Sequence, residues 1–240
     1  MTSAPEYRPF AVTIRLRTPV SLNHPWLMLD GILWHLIRTR VLGRDAAVQD
    51  IKRPAPLTDA DLGPYARILA RFGGRQPGEW VQCASASRFD PPDVPYGSLQ
   101  YFKRFEADRF PARPAKVHMG SGHYRAWMLR TVYLPAETVT FYGCGKIDRV
   151  RDLLIDLTHL GNDSRVGWGE ISEVTVSEIP EDRSVVWKGC AMRPIPVRML
   201  RSWDDAAHVA WRTPYWSPDR MELCAPPGAE IELHDWMRAR

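Results

Sequence analysis

The chain has 240 residues, 45% hydrophobic and 25% charged, ordinary proportions for a globular protein with a large core. Its net charge of +4 is too small to define a polyanion binder by itself, although arginine, with planar forked donors, outnumbers lysine. The longest apolar run near the N-terminus, 26–37, is broken by Asp30 and His35 and is too short for a bilayer, so a cytoplasmic protein without membrane contact is expected.

In chain order, residues 10–17 alternate Val12, Ile14 and Leu16 with Thr13, Arg15 and Arg17, the period of a strand, which Pro19 ends. Asn23-His24-Pro25 reads as a helix start. A helix over 27–41 carries Leu29, Ile32, Leu33, Leu36 and Ile37 on one face, with Gly43 at its end. A proline-containing connector, 52–57, leads to a second amphipathic helix over 59–72, closed by Gly73-Gly74. Residues 80–89 alternate as a strand, and 90–95 are turn-rich. Residues 97–110 interleave aromatics with bases: Tyr101, Phe102, Lys103, Arg104, Phe105, Arg109 and Phe110. The glycine-bearing segment 120–125 precedes a strand over 127–134, and 138–144 forms another. A helix over 147–160 places Ile147, Val150, Leu153, Leu154, Leu157 and Leu160 on one face, and a strand over 170–178 follows. Prolines interleaved with Trp203, Trp211, Trp216 and Trp236 then predict a loop-rich region tied down by tryptophans.

The main elements therefore run β-α-β-β-α-β, the order of an α+β, ferredoxin-like (RRM-like) fold. This domain spans 1–180, with an arm inserted at about 90–136. An irregular Pro/Trp-rich extension, 181–240, packs on it.

Between the helix and the last strand of that unit stands Gly161-Asn162-Asp163-Ser164-Arg165-Val166-Gly167-Trp168-Gly169. Glycines at this density shape the backbone at an entropic cost. Gly161 reads as the residue that closes the preceding helix. A helix C-terminus disfavours phosphate, so an anion here must be met by Arg165, exposed backbone N–H groups and Trp168. For Gly167 and Gly169 the alternatives are close approach to RNA or to a neighbouring strand.

A helix running into such a G-x-x-x-R-x-G-x-G loop resembles the RAMP superfamily of CRISPR-associated proteins. Leu29-Asp30-Gly31-Ile32-Leu33, Met192-Arg193-Pro194-Ile195-Pro196-Val197, and Pro214-Tyr215-Trp216 with Cys224 are similar to the type IV effector-complex subunit of the Cas-five type. The resemblance covers most of the chain. It implies a non-catalytic, cofactor-free subunit that caps the 5′ handle of the crRNA and contacts the backbone RAMP subunits and the large subunit. It also implies a thumb-like hairpin, matched here by 97–130. Single-stranded RNA needs stacking surfaces and cations. The RNA-binding candidates are Gly161, Ser164, Arg165, Gly167, Trp168 and Gly169 in the loop, and Lys103, Arg104, His123, Tyr124 and Arg125 in the arm.

A different reading is a metal-independent RAMP endoribonuclease cutting repeat RNA, which would need a histidine base and acid. His24, His35, His118 and His123 have no catalytic or metal-binding spacing. A third reading is a scaffold whose arm binds only protein. Cys83, Cys144, Cys190 and Cys224 lack C-x-x-C spacing and read as buried free thiols, so no metal is expected.

Overall fold

The computed structural model describes residues 6–44, 56–74, 78–104, 120–121 and 125–237. Strand β1 (Arg8–Leu16) and the two-residue β2 (Val20–Ser21) precede helix α1 (Leu29–Leu42). Short strands β3 (Arg71–Gly73), β4 (Trp80–Gln82) and β5 (Arg88–Asp90) follow, then β6 (Gly97–Lys103), β7 (Trp127–Leu134) and β8 (Thr138–Gly145). Helix α2 (Ile147–Leu154) and strand β9 (Ile171–Glu178) complete the first half.

Four strands form one sheet in the order β5-β8-β1-β9, with every neighbouring pair antiparallel. Alternation decides its faces. Phe10, Val12 and Ile14 on β1, and Val139 and Phe141 on β8, are fully buried, whereas Thr13 and Arg15 point outward. Helix α1 contributes Leu29, Leu33 and Leu36 to that core, and α2 contributes Ile147, Val150, Leu153 and Leu154. Each such side chain gains about 1.5–3 kcal/mol from burial. Strands β6 and β7 pair in register from Gly97↔Tyr133 to Lys103↔Trp127. Through β7 they join β2 in a separate three-stranded sheet, which is the base of the arm.

Four expectations about secondary structure need correction. Asn23-His24-Pro25 does not start α1; the helix begins at Leu29, whose orphan N–H is satisfied by the Ser85 carbonyl at 3.2 Å. The helix over 59–72 is a single turn, Asp59–Leu62. Thr58 and Asp61 form a capping box, but Gly63-Pro64 stops propagation and the chain leaves as strand β3. The strand over 80–89 is split because its backbone serves successive partners. β4 pairs with β3, Ala84 bridges Gly143, Ala86 bridges Met28, and β5 pairs with β8. The helix over 147–160 ends at Leu154. Leu160 still reaches the core, but in an extended segment whose N–H bonds to Gly169 and whose neighbour His159 bridges Glu170.

The C-terminal region also departs from expectation, being built from short strands. These are β10 (Val186–Trp187), β11 (Cys190–Ala191), β12 (Ile195–Pro196), β13 (Leu200–Trp203), β14 (Ala207–Ala210), β15 (Met221–Ala225) and β16 (Ile231–Leu233). Pieces of two to five residues accommodate prolines at their ends. They enclose a second core with Ile195, Met199, Trp211 and Cys224, joined by Ala70, Val81 and Cys83 from the first half. Of the four tryptophans expected to tie the region down, Trp211 is buried, whereas Trp203, Trp216 and Trp236 are exposed.

At the junction of the halves lies Arg193, with no exposed surface. Its guanidinium donates to the carbonyls of Gln82, Ala84 and Trp211, to the Tyr215 hydroxyl at 2.9 Å and to Asp30 Oδ2 at 3.3 Å. Tyr215 Oη in turn donates to Asp30 at 2.8 Å, and burial raises the phenol pKa well above its usual value. Three stretches singled out in the sequence, around Asp30, Arg193 and Tyr215, thus converge on one buried network. Charge is tolerated inside because nearly every donor and acceptor has a partner.

Candidate nucleic-acid interface

The loop 161–169 is a closed excursion with pinned ends. Leu160 N–H donates to Gly169 O at 2.8 Å, and Ile171 N–H to Thr158 O at 3.0 Å. The β1–β2 corner grips it from the side. Asn162 N–H bonds to Ser21 O and Gly169 N–H to Pro19 O, each at 2.8 Å. The Thr18 hydroxyl donates to Gly167 O at 2.7 Å and accepts from Glu170 N–H at 2.9 Å. Two glycines are required by close approach. At Gly161 (φ 82°) a Cβ would strike the Ser21 carbonyl, and at Gly169 (φ 66°) the Leu160 carbonyl. Both therefore serve approach to this chain's own backbone. Gly161 does not close a helix, because α2 ends seven residues earlier at Leu154, and the helix-dipole argument against phosphate lapses with it.

Gly167 (φ 89°) has open space around its Cα. Together with Ser164, Arg165 and Val166 it forms the outward, exposed side of the loop, a single 3₁₀ turn at Ser164–Val166. Arg165 makes no ion pair among the described residues, and its side chain is exposed.

Trp168 is placed differently from the expectation of a free stacking surface. It is 9% exposed, its ring stacks on Tyr133 at 4.9 Å, and Nε1 donates to Tyr101 Oη at 3.1 Å. Tyr133 belongs to β7 and Tyr101 to β6, so Trp168 fastens the loop to the arm. Along β6, Lys103 follows Tyr101 on the same face, and its register partner is Trp127. Lys103, Arg104 and Arg125 are thereby brought to one end of the hairpin, all exposed. The paired Phe102 and Met128 are 76% and 71% exposed on its other face, opposite the Tyr101–Leu129 side. His123 and Tyr124, and the arm residues Phe105, Arg109 and Phe110, lie outside the described residues.

Sequence reasoning missed the residues that hold the loop, Thr18, Tyr101 as an anchor, and Tyr133. Thr18 and Tyr133 carry no local signal, since their partners are remote in the chain. Of the histidines, His24 packs edge-on against Trp26 at 4.7 Å, and partial burial lowers the pKa of both His24 and His35. His118 also lies outside the described residues. Among the described residues, no group of three or more His, Cys, Asp or Glu side chains could hold a metal ion. No helix among them is long and apolar enough to cross a membrane.

The sequence model of one protein family, the CRISPR type IV associated protein Csf3, matches residues 8–227. The chain belongs to the Csf3 family. The matched region includes the first core, most of the second, the Arg193 network, the loop and the base of the arm. No curated protein matches the chain. Among solved structures, one similar chain comes from a type III-B Cmr-beta complex bound to cognate target RNA, at 13% identity and TM-score 0.34. That match covers 72% of this chain and 61% of the other, so this chain spans about three fifths of its length. Another comes from a Csm3-Csm4 subcomplex of the type III-A CRISPR-Cas interference complex, at 9% identity and TM-score 0.41, covering 96% and 94% of the two chains.

Proposed function

We propose that this Csf3-family chain is an RNA-binding RAMP subunit of a type IV CRISPR ribonucleoprotein effector complex. It holds the 5′ handle of the crRNA against the loop–arm junction, does not cut it, and uses the arm to contact the adjacent backbone subunit. The sheet order β5-β8-β1-β9, with α1 and α2 packed on one face, supports a ferredoxin-like reading of this unit, the expected platform for such a subunit.

The observation that carries the reading is the rigid seat of Arg165. Gly161 and Gly169 pack on backbone, Trp168 locks onto Tyr133 and Tyr101, and the outward turn carries Arg165, which has no counter-ion among the described residues. A cation on a pinned backbone turn, beside an arm that carries Lys103, Arg104, Arg125 and exposed apolar rings, suits a flexible polyanion with unstacked bases. The apolar surface at Phe102 and Met128 is of the kind that a protein partner covers.

The test is binding of a labelled handle oligonucleotide by the purified chain across a salt series. The Arg165→Ala, Arg104→Ala double variant is expected to bind about ten-fold or more weakly, with a shallower salt slope. Unchanged affinity at matched salt rejects the assignment. In the same assay, labelled repeat RNA incubated in chelator stays intact; cleavage would favour the endoribonuclease reading.

A further inference from the structure

A cleft of about 730 Å³ opens between α1, residues 56–71 and the segment 213–220. It shares no residue with the loop–arm junction, and its volume falls within the range of about 300–1,000 Å³ usual for small-ligand sites. One wall is the stripe Asp30, Trp34 and Arg38, four residues apart on α1 and turned away from the sheet core. The Trp34 and Trp216 rings meet edge to face at 5.4 Å, and Trp216 is 50% exposed. The Arg38 guanidinium lies 4.8 Å over Trp34. Arg71 and Arg220 also line the cleft, and Arg220 makes no ion pair among the described residues.

The acidic residues of the lining are mostly neutralised within the protein. Asp30 is paired with Arg193, and Asp59 with Arg67 at 2.9 Å. Cations therefore prevail over the remaining carboxylate, Asp219. Gln82 adds a polar residue to the cleft wall, and its buried Oε1 has no hydrogen-bond partner among the described residues. A buried acceptor left open is costly, and a donor reaching it from the cleft would offset that cost.

We infer that this cleft binds one nucleotide unit, with the base on Trp216, a base N–H donating to Gln82, and the phosphate met by Arg220 and Arg71. Indole faces accept any base, and arginine supplies both charge and forked donors to phosphate. The shared chemistry fits a free mononucleotide or one nucleotide of a single strand. The site is independent of the loop–arm reading.

The purified full chain is titrated with fluorescently labelled adenosine monophosphate, and in parallel with a short single-stranded oligonucleotide lacking a 5′ phosphate. Saturable mononucleotide binding is expected, weakened about ten-fold by Trp216→Ala or Arg220→Glu, retained in Arg220→Lys, and unaffected by Arg165→Ala; the oligonucleotide is compared in the Arg165→Ala background, where the binding that remains is expected to be weakened by Trp216→Ala or Arg220→Glu. Mononucleotide binding identifies a free nucleotide as the ligand; oligonucleotide binding alone identifies a strand. Both substituted side chains are partly exposed, and an unchanged melting temperature verifies folding of each variant. Absence of saturable binding in both arms overturns the proposal. So does binding that ignores Trp216 and Arg220, or binding lost equally with Arg165→Ala, which would move the ligand to the loop.

Discussion

Two arginines in the chain occupy opposite environments. Arg193 has no exposed surface and gives its protons to three carbonyls, a phenol and a carboxylate. Arg165 stands on an exposed 3₁₀ turn and makes no ion pair among the described residues. The first joins α1, β4 and the C-terminal strands into one body. The second is held out by a loop pinned through Gly161, Trp168 and Gly169. An arginine amid glycines or prolines in a distinctive stretch can therefore be architecture or surface chemistry, and the partners decide which.

The comparison is broken most severely at Arg193. Arg193→Ala leaves Asp30 buried without its cation and is expected to destabilise the chain by about 3–5 kcal/mol, read from urea unfolding. A loss below about 1 kcal/mol would mean that the network contributes little. Next come the loop glycines. Gly169→Ala forces a Cβ onto the Leu160 carbonyl and is expected to cost about 3 kcal/mol, whereas Gly167→Ala, with open space and only a positive φ, costs about 1 kcal/mol. Equal effects would contradict the division of the loop into an inward and an outward side.

A smaller effect is expected from the second core's thiols. Burial, and for Cys83 and Cys144 also the charge of Asp182, raises their pKa values, Cys144 to about 11; burial brings Cys224 to about 12. Above about pH 8.5 the unfolded chain releases thiol protons that the folded chain keeps. Stability thus falls with rising pH from that point up toward the folded values, by about 1 kcal/mol per pH unit for each fully buried thiol. Unfolding midpoints at pH 7.5 and 9.5 measure this, and Cys224→Ser removes the share of that residue. The smallest change is at Arg165: Arg165→Ala should alter stability by less than about 0.5 kcal/mol while weakening RNA binding.

Much of the sheet was legible because period-two alternation is local: β1, β8 and β9 fall where Val12, Ile14, Val139, Phe141, Val174 and Val176 place them. Errors arose where partners are distant. Leu157 and Leu160 continue the apolar rhythm of α2, yet the backbone at Leu160 is taken by Gly169. The capping box at Thr58 and Asp61 is real, but Gly63-Pro64 outweighs it. At the candidate site, Arg165 was identifiable from residue type and neighbours. Trp168 looked equally available, since its partners Tyr133 and Tyr101 lie 35 and 67 residues away in sequence. The burial of Arg193 depends on Asp30, 163 residues distant, which no local pattern encodes.

The most direct measurement is a photo-cross-linking map of handle RNA on the chain, read at peptide level within the assembled ribonucleoprotein. Cross-links at 164–167 and at 103–104 are predicted, with none in the peptide around Arg193. Handle RNA joined only to peptides remote from the loop and the arm would contradict the account.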